Sequence, residues 1–405
     1  MESKITKSWG NIEAPKNVIT STSSTMLDIG NLNSYGDCCL PLHNVSRVNK
    51  NKIVGETILN YQIKNNSYLY GTPGKSTVTI GGAVASDTHG KDNVWGGSFY
   101  KNVKKIYLSI YGDLIETSKN KEPDLFKATI GGYGLTGSIN DIELYESNIS
   151  ISKTYQTFIE TGFGIDNLLD SFDINDKEFW VGWINLLDKK FPWVTKKSVP
   201  TSNKITNATQ KRDAEINISF PFLGENSFKT LNLINKIYFN LNKFSKIKEI
   251  DFYNTFFPIS FFTDTRNISK NRKIVQVQFS IPYSKSHILE SLLSQVIYRQ
   301  VPLLCSIKKL SKQENLNNLS FYQDGWSVAV DFSYHQFNKI EIKKFYELLA
   351  SHGGKIYLAK DFTLDEKNFK LMYPEFFEWE KIVKSLDPKN LYQSNLSKRL
   401  GLKKW

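Results

Sequence analysis

The clearest hydrophobic pattern in the chain lies between Ile274 and Asp361. Ile274 to Ile281 alternates apolar and polar side chains, which predicts a strand. Ser284 to Gln300 repeats Ile288, Leu292 and Val296 four residues apart and predicts a helix. Leu303 to Leu310 and Gly325 to Ser333 read as two more strands. Asn338 to His352 places Ile342, Phe345 and Leu349 on one helical face, with Gly353 and Gly354 as the stop. Lys355 to Lys360 is the last strand. The order β-α-β-β-α-β predicts one sheet with two helices on a single face, leaving the other face free to form a wall.

Strand alternation assigns residues to the two faces. Val275, Val277, Phe279 and Ile281, with Trp326, Val328, Val330 and Phe332, point towards the helices. Gln276, Gln278 and Ser280 point the other way, as do Ser327, Ala329 and Asp331. Two glutamines on one strand face read as solvated when taken alone. The small residues on the next strand favour a polar cavity instead. Lys309 shares a face with Cys305 and Ile307, so its ammonium emerges from an apolar stripe, a common place for a lysine stem.

The earlier half is built around glycine. A β-branched run, Thr77 to Ile80, breaks at Gly81 and Gly82; small residues follow, and then Asp87, Thr88, His89, Gly90 and Lys91. A single glycine pair reads as a turn between strands. The device recurs at Gly131, Gly132, Gly134 and Gly137, and two such loops favour a shared ligand that approaches bare backbone. Lys104 to Thr117 predicts a hairpin turning at Tyr111 to Asp113, Asp124 to Lys127 a short helix, and Ile139 to Glu146 a strand. Further forward, Met26 to Gly30 reads as a short strand entering the turn Gly30 to Asp37. Between the halves, Phe158 to Trp193 is rich in aromatics, and the polar stretch Thr195 to Asp213 reads as a loop. Asp251 to Asn271 has no steady period and reads as a long irregular loop of the kind that covers active sites. Asp387 and Pro388 are expected to start the final helix. Its basic end (Lys398, Arg399, Lys403 and Lys404) would complement the helix C-terminus.

With 405 residues, 40% hydrophobic and 13% aromatic, the chain has room for two domains with separate cores. The net charge of +12 raises nucleic acid as a partner, but lysine is spread throughout and no nucleic-acid motif accompanies it. Attraction to anionic lipids or phosphorylated substrates fits the same charge. Cys38, Cys39 and Cys305 make no disulfide framework, which points to a reducing compartment. The first residues lack the apolar core of a secretory signal, and no apolar run is long enough to span a membrane. The expectation is a cytoplasmic protein, with peripheral membrane contact left open. Five dispersed histidines give no metal-ligand spacing, so no metal is expected.

The stretches Thr72 to Gly74, Val78 to Lys91, Gly97 to Phe99 and Ala128 to Gly137 resemble the FAD-linked oxidases of the vanillyl-alcohol-oxidase type. Within that group the likeness is to the decaprenylphosphoryl-β-D-ribose 2′-oxidases, and it runs from Ser8, Trp9 and Gly10 to the last helix. It implies an α+β fold of two domains. A discontinuous FAD-binding domain would occupy 1–150 and 355–405, and a substrate domain 151–354. It implies non-covalent FAD, because the Gly30 to Asp37 loop has no histidine for a covalent link. Implied cofactor contacts are Tyr35, Gly36, Pro73, Gly74, Thr79, Gly81, Gly82, Ser86, His89, Gly90, Gly132, Gly134, Ile139 and Tyr357. Implied substrate contacts are Lys91, Gln278, Lys309, Ser327 and Lys360. Ser327 and Ala329 stand where the family has asparagine and cysteine. Tyr357 and Lys360 have opposite parity, so the last strand must end between them for both to reach the site.

The implied reaction is hydride transfer from a sugar carbinol to flavin, with Lys360 accepting or orienting the hydroxyl proton and His89 the second candidate. The implied partners are a sugar or polyprenyl-phosphosugar substrate and a short-chain reductase. Two departures from the family stand at the front. Leu32 and Asn33 replace a glycine and an arginine of its phosphate loop. The spacing from Trp9 to Ser34 and from Asp37 to Pro73 omits about forty residues of helix and strand. Three readings therefore stand side by side: a polyprenyl-phosphoryl pentose oxidase, an aldonolactone-type sugar oxidase, and a flavin-free subunit of the same ancestry.

Overall fold

A computed structural model describes residues 7–10, 12–13, 28–40, 53–173, 175, 177–201, 227–257, 274–311 and 318–404. The first described α-helix, α1 (Ile58–Asn65), is capped by Thr57, whose side chain accepts from the Asn60 amide. It occupies a stretch whose spacing suggested no room for a further element. Helix α2 (Ile80–Ser86) follows. Strands β1 (Val103–Ile110) and β2 (Asp113–Ser118) form the expected hairpin, with Tyr111 and Gly112 both at positive φ. Helix α3 (Pro123–Thr129) leads through the second glycine loop into β3 (Ser138–Leu144), which pairs with β1. Ile106, Leu108 and Ile110 from β1 bury against Phe126, Ile139 and Ile142, and α2 adds Ile80, Ala83 and Val84 to the same core.

The β-branched run before Gly81 forms no named strand, because Thr79 acts as an N-cap. Its hydroxyl accepts from the Gly82 amide at 3.1 Å, and the next seven residues turn helical. Gly81 packs on Val54, where a Cβ would come within 2.5 Å of Cγ1. Helix α2 ends at Asp87, whose φ of 43° reverses the chain.

The rest of the chain builds one large antiparallel sheet. Its strands are β4 (Thr154–Phe163), β5 (Phe179–Ile184), β6 (Pro192–Pro200), β7 (Ile247–Asp251), β8 (Ile274–Pro282), β9 (Pro302–Leu310), β10 (Gly325–Ser333) and β11 (Lys355–Ile356). The order across the sheet is β11-β8-β10-β9-β5-β6-β4-β7. Its helices are α4 (Ile165–Asp170), α5 (Ser227–Lys243), α6 (Phe252–Phe256), α7 (Leu289–Val296) and α8 (Lys339–Ser351). Helices α9 (Glu366–Met372), α10 (Phe376–Leu386) and α11 (Asn395–Leu400) close the chain.

The first four strands in that order, with α7 and α8 on one side, are the anticipated β-α-β-β-α-β unit. Its extension to eight strands was not anticipated. The joint is a two-residue pairing, Gly182 with Ile307 and Trp183 with Ser306. A Cβ at position 182 would sit 2.6 Å from Ile307 Cγ2, so the two half-sheets meet only because that residue is glycine.

Several local expectations are corrected. Residues 195–200 lie in β6 rather than a loop, because their register with β4 supplies a full ladder; 202–213 lies outside the described residues. Residues 251–257 are a strand end and a helix capped by Asp251, while 258–271 lies outside the described residues, as do Asn11, Met26 and Leu27. The helix expected from Ser284 is a kinked 3₁₀ segment up to Ile288, and only Leu289–Val296 is α-helical.

Asp387 ends α10 instead of starting a helix. The last helix begins later, at Asn395, with Ser394 and Ser397 in a capping box. Asp387 is buried with Lys403, which also donates to Leu135 O at 3.2 Å. Arg399 does not serve the helix end either. It grips Asp37 at 2.8 Å and Asp361 at 2.9 Å, tying the C-terminus to the front loop.

Candidate active site

The face of β11, β8, β10 and β9 that turns away from α7 and α8 does form a wall. Val275, Val277, Phe279, Val328, Val330 and Phe332 are buried against Leu289, Leu292, Phe345 and Leu349 on the helix side. Gln276, Gln278, Ser327, Ala329 and Asp331 face a cavity of about 1120 Å³, and Pro73, Gly74, Thr79, Gly82 and Ser86 line its opposite side. That volume lies just above the roughly 300–1,000 Å³ usual for a ligand site.

The two walls are stitched together by His89 and Tyr357. The Gln278 amide donates to Ser327 Oγ at 3.0 Å and to His89 Nε2 at 2.7 Å. With Nε2 accepting, the imidazole is neutral and carries its proton on Nδ1. Burial, helped by the Lys308 and Lys360 charges, keeps it neutral by pushing its pKa well below the usual value. Nδ1 is buried out of reach of the cavity and has no protein partner among the described residues, while the residue's remaining exposed edge borders the cavity. Phe321 stacks on the ring at 5.3 Å and Tyr357 meets its edge at 4.7 Å. Tyr357 in turn donates to Ser86 O at 2.9 Å.

Strand β11 ends at Ile356 and the chain turns through residues 358–360, which brings both Tyr357 and Lys360 to the cavity. Lys360 Nζ lies 4.2 Å from the centroid of the Tyr35 ring, and Tyr35 leans on Trp9. Burial lowers the Lys360 pKa to about 8; Asp331 opposes the shift and Lys308 adds to it. Burial lowers Lys308 to about 8 as well, and Lys91 to about 7 with help from Lys308 and Lys196. Lys91 is held by the Thr255 carbonyl. Asp331, bonded by Gln276 at 2.6 Å, is raised by burial to about 6.

Of the residues anticipated from sequence, Tyr35, Pro73, Gly74, Thr79, Gly82, Ser86, His89, Lys91, Gly134, Gln278, Ser327, Tyr357 and Lys360 come together around this cavity. Six do not. Gly36 is pressed on Asp361, where a Cβ would fall 1.9 Å from the carbonyl oxygen. Gly81, Gly90 and Gly132 are likewise held by close neighbours behind the wall (Val54, Asp92 and Ala128), and Ile139 belongs to the β1 core. Lys309 lies on the helix side, donating to Phe172 O at 3.2 Å beside Tyr283 and Trp326.

The lysine that reaches the cavity from β9 is Lys308, whose register partner is Ser327. Alternation alone could have found it, since it shares a face with Ser306 across from Ser327 and Ala329. Gln276 and Asp331 were on the predicted polar face but were not singled out. Lys196, Trp183 and Tyr238 were missed because the extension of the sheet was not foreseen.

The family model for D-arabinono-1,4-lactone oxidase matches residues 318–400, a span that includes Phe321, Ser327, Tyr357 and Lys360. Decaprenylphosphoryl-beta-D-ribose oxidase from Mycolicibacterium smegmatis (strain ATCC 700084 / mc(2)155) is 25% identical over 354 residues, covering 82% of this chain and 75% of that protein. The chain resembles the FAD-linked sugar oxidases. An uncharacterized protein in the mprA 5′ region of Streptomyces coelicolor is 39% identical over 67 residues, or 16% of this chain and 18% of that one.

The cavity suits the flavin that this likeness implies. Gly82 and Gly134 leave backbone bare on one wall, and Tyr35 and Tyr133 supply flat apolar surface. The front loop is the exception. Leu32 lines the cavity with φ of 56°, and the Asn33 amide is spent on Thr77 O at 2.8 Å. The loop is therefore held to α2's approach by side chains instead of by a charged contact. Among the described residues no helix is long and apolar enough to cross a membrane, and no cluster of three metal-ligating side chains occurs.

Proposed function

We propose that the chain is a flavin-dependent oxidoreductase that oxidises a secondary alcohol of a sugar, with the ribose 2′-hydroxyl of a polyprenyl-phosphoryl pentose as its substrate class. One observation carries the reading. The Gln278–His89 link joins a polar sheet face bearing Lys308, with Lys360 on the turn beside it, to the glycine-bearing wall that suits a flavin. Pro73, Gly74, Gly82, His89, Gly134 and Tyr357 would hold the cofactor. The chemistry supplied by a bound flavin is acceptance of a hydride from the carbinol carbon.

The chain's own part is to position the sugar and handle the proton. Lys360, with its pKa near 8, is roughly one-quarter neutral at pH 7.5 and can take the hydroxyl proton on Nζ. The Tyr35 ring covers the ammonium it becomes, and Asp331 on β10 favours that charged form. His89 is fixed by Gln278 as a neutral donor and is a poor base. Gln278 and Ser327 are placed to bind sugar hydroxyls. Lys91, Lys196 and Lys308 give the far part of the cavity a surplus of positive charge suited to a phosphoryl group.

Two other readings each have an observation behind them. The D-arabinono-1,4-lactone oxidase match favours an aldonolactone-type substrate, and the occupied Asn33 favours a flavin-free subunit. Anaerobic mixing of the FAD-loaded protein with polyprenyl-phosphoryl ribose, and separately with an aldonolactone, distinguishes them. Bleaching of the flavin band at about 450 nm by the first alone supports the proposal. Bleaching by the lactone alone supports the second reading, and failure to load FAD supports the third.

A further inference from the structure

Helix α5 presents two unlike faces. Leu231, Ile234, Asn235 and Tyr238 line the cavity, and Phe239 is buried against Ile159 and Val194. The outward face is nonetheless apolar. Leu233 is 59% exposed, Ile237 51% and Leu241 65%, and Phe244 just beyond the helix is 84% exposed. Spacings of four, four and three residues put these side chains on one stripe. Ile234 borders that stripe and is 44% exposed while also lining the cavity, so the apolar surface continues into the cavity mouth. Along the stripe's other edge, Lys229, Lys236 and Lys243 recur every seven residues and are exposed. Lys246 and the exposed Ile247 extend the same mixture into β7.

We infer that α5 is a docking helix for an anionic lipid surface. Three large apolar side chains in a row on a helix surface, continued by Phe244 at its end, are more than scattered exposure, and they mark an interaction site. A lysine row parallel to an apolar stripe is the arrangement by which a helix lies in a bilayer interface, apolar side down and ammonium groups among acidic headgroups. The chain's net charge of +12 complements such a surface at longer range. The site depends on no cofactor, and it places the cavity mouth at the membrane, where an amphiphilic ligand could pass along Ile234 without crossing water.

The test is vesicle flotation of the full chain without any sugar substrate, so it is independent of activity. Vesicles of phosphatidylcholine containing phosphatidylglycerol should carry the protein upward, and pure phosphatidylcholine vesicles should carry much less. Added salt should weaken the binding. The double variant Ile237→Glu with Leu241→Glu, at positions outside the cavity lining, should lose about tenfold or more in partitioning with an unchanged melting temperature. Equal flotation of the variant overturns the proposal. A lowered melting temperature in the variant would show the stripe to be covered by the chain itself. A dimer that dissociates in the variant on sedimentation would show it to be covered by a second copy. Either result also overturns the proposal.

Discussion

Replacing Gly82 by alanine should separate the stability of the fold from its capacity for flavin. Gly82 sits in the first turn of α2 and lines the cavity. The nearest protein atom to an added Cβ is Thr79 Oγ1 at 3.0 Å, and nothing else described lies within 4 Å. Alanine is favoured over glycine in a helix by about 1 kcal/mol. Part of that gain is offset because Thr79 must yield slightly while it accepts from residue 82. The protein without cofactor should therefore be as stable as the parent or up to about 1 kcal/mol more so. The methyl group, however, projects to where the cofactor is placed, and overfilling a packed contact costs about 1–3 kcal/mol, or roughly a 5- to 150-fold weaker FAD Kd. Thermal melting without FAD and a fluorescence titration with FAD read the two quantities separately. An unchanged Kd for Gly82→Ala would mean that no cofactor lies against α2. Loss of stability without cofactor would mean that Thr79 cannot yield.

Three more outcomes are expected. If Lys360 is the base, kcat should rise about tenfold per pH unit below pH 8 and level off above it, because only the neutral amine accepts a proton; Lys360→Arg should remove the activity, and a flat profile in the parent would exclude the role. Lys308→Ala should raise KM for a phosphorylated substrate, while Lys309→Ala, on the helix side, should leave it unchanged; the reverse pattern would refute the register. Stability without ligand should climb from pH 7 towards 10, because Lys91, Lys308 and Lys360 lie at about 7, 8 and 8 in the fold against an ordinary 10.5, so the unfolded chain binds more protons there. Asp92 and Asp331, at about 6 against 3.8, act oppositely between pH 4 and 6, and melting temperatures falling steadily from pH 7 to 9 would contradict this balance.

The wall of the site was legible because alternation in a strand assigns faces without reference to neighbours. Gln276, Gln278, Ser327, Ala329 and Asp331 fell where their parity put them. Lys309 shows the limit of the family likeness, which implies a substrate contact, whereas its alternation places it beside Cys305 and Ile307 on the helix side, where the structure has it. Helix α2 was misread because the β-branched run Thr77 to Ile80 suggests a strand, whereas a single hydroxyl on Thr79 turns the chain. Helix α5 is hard to read because its apolar residues occupy both faces, one inside the cavity and one outside, which leaves its polar stripe narrow around Lys229, Lys236 and Lys243. The β5–β9 joint rests on two residue pairs and a glycine, and neither half of the chain announces it. Asp387 reads as a helix start from its proline neighbour, while its buried partner Lys403 is sixteen residues away in sequence and reads as complementing the end of the last helix.

The measurement that bears most directly on the account is an absorption spectrum of the purified chain after incubation with FAD and removal of free cofactor. A band at about 450 nm, at about one flavin per chain and shifted on adding a phosphorylated sugar, is the predicted result. A colourless protein that is still folded would contradict it, because the bare backbone at Gly82 and Gly134 would then serve no flavin.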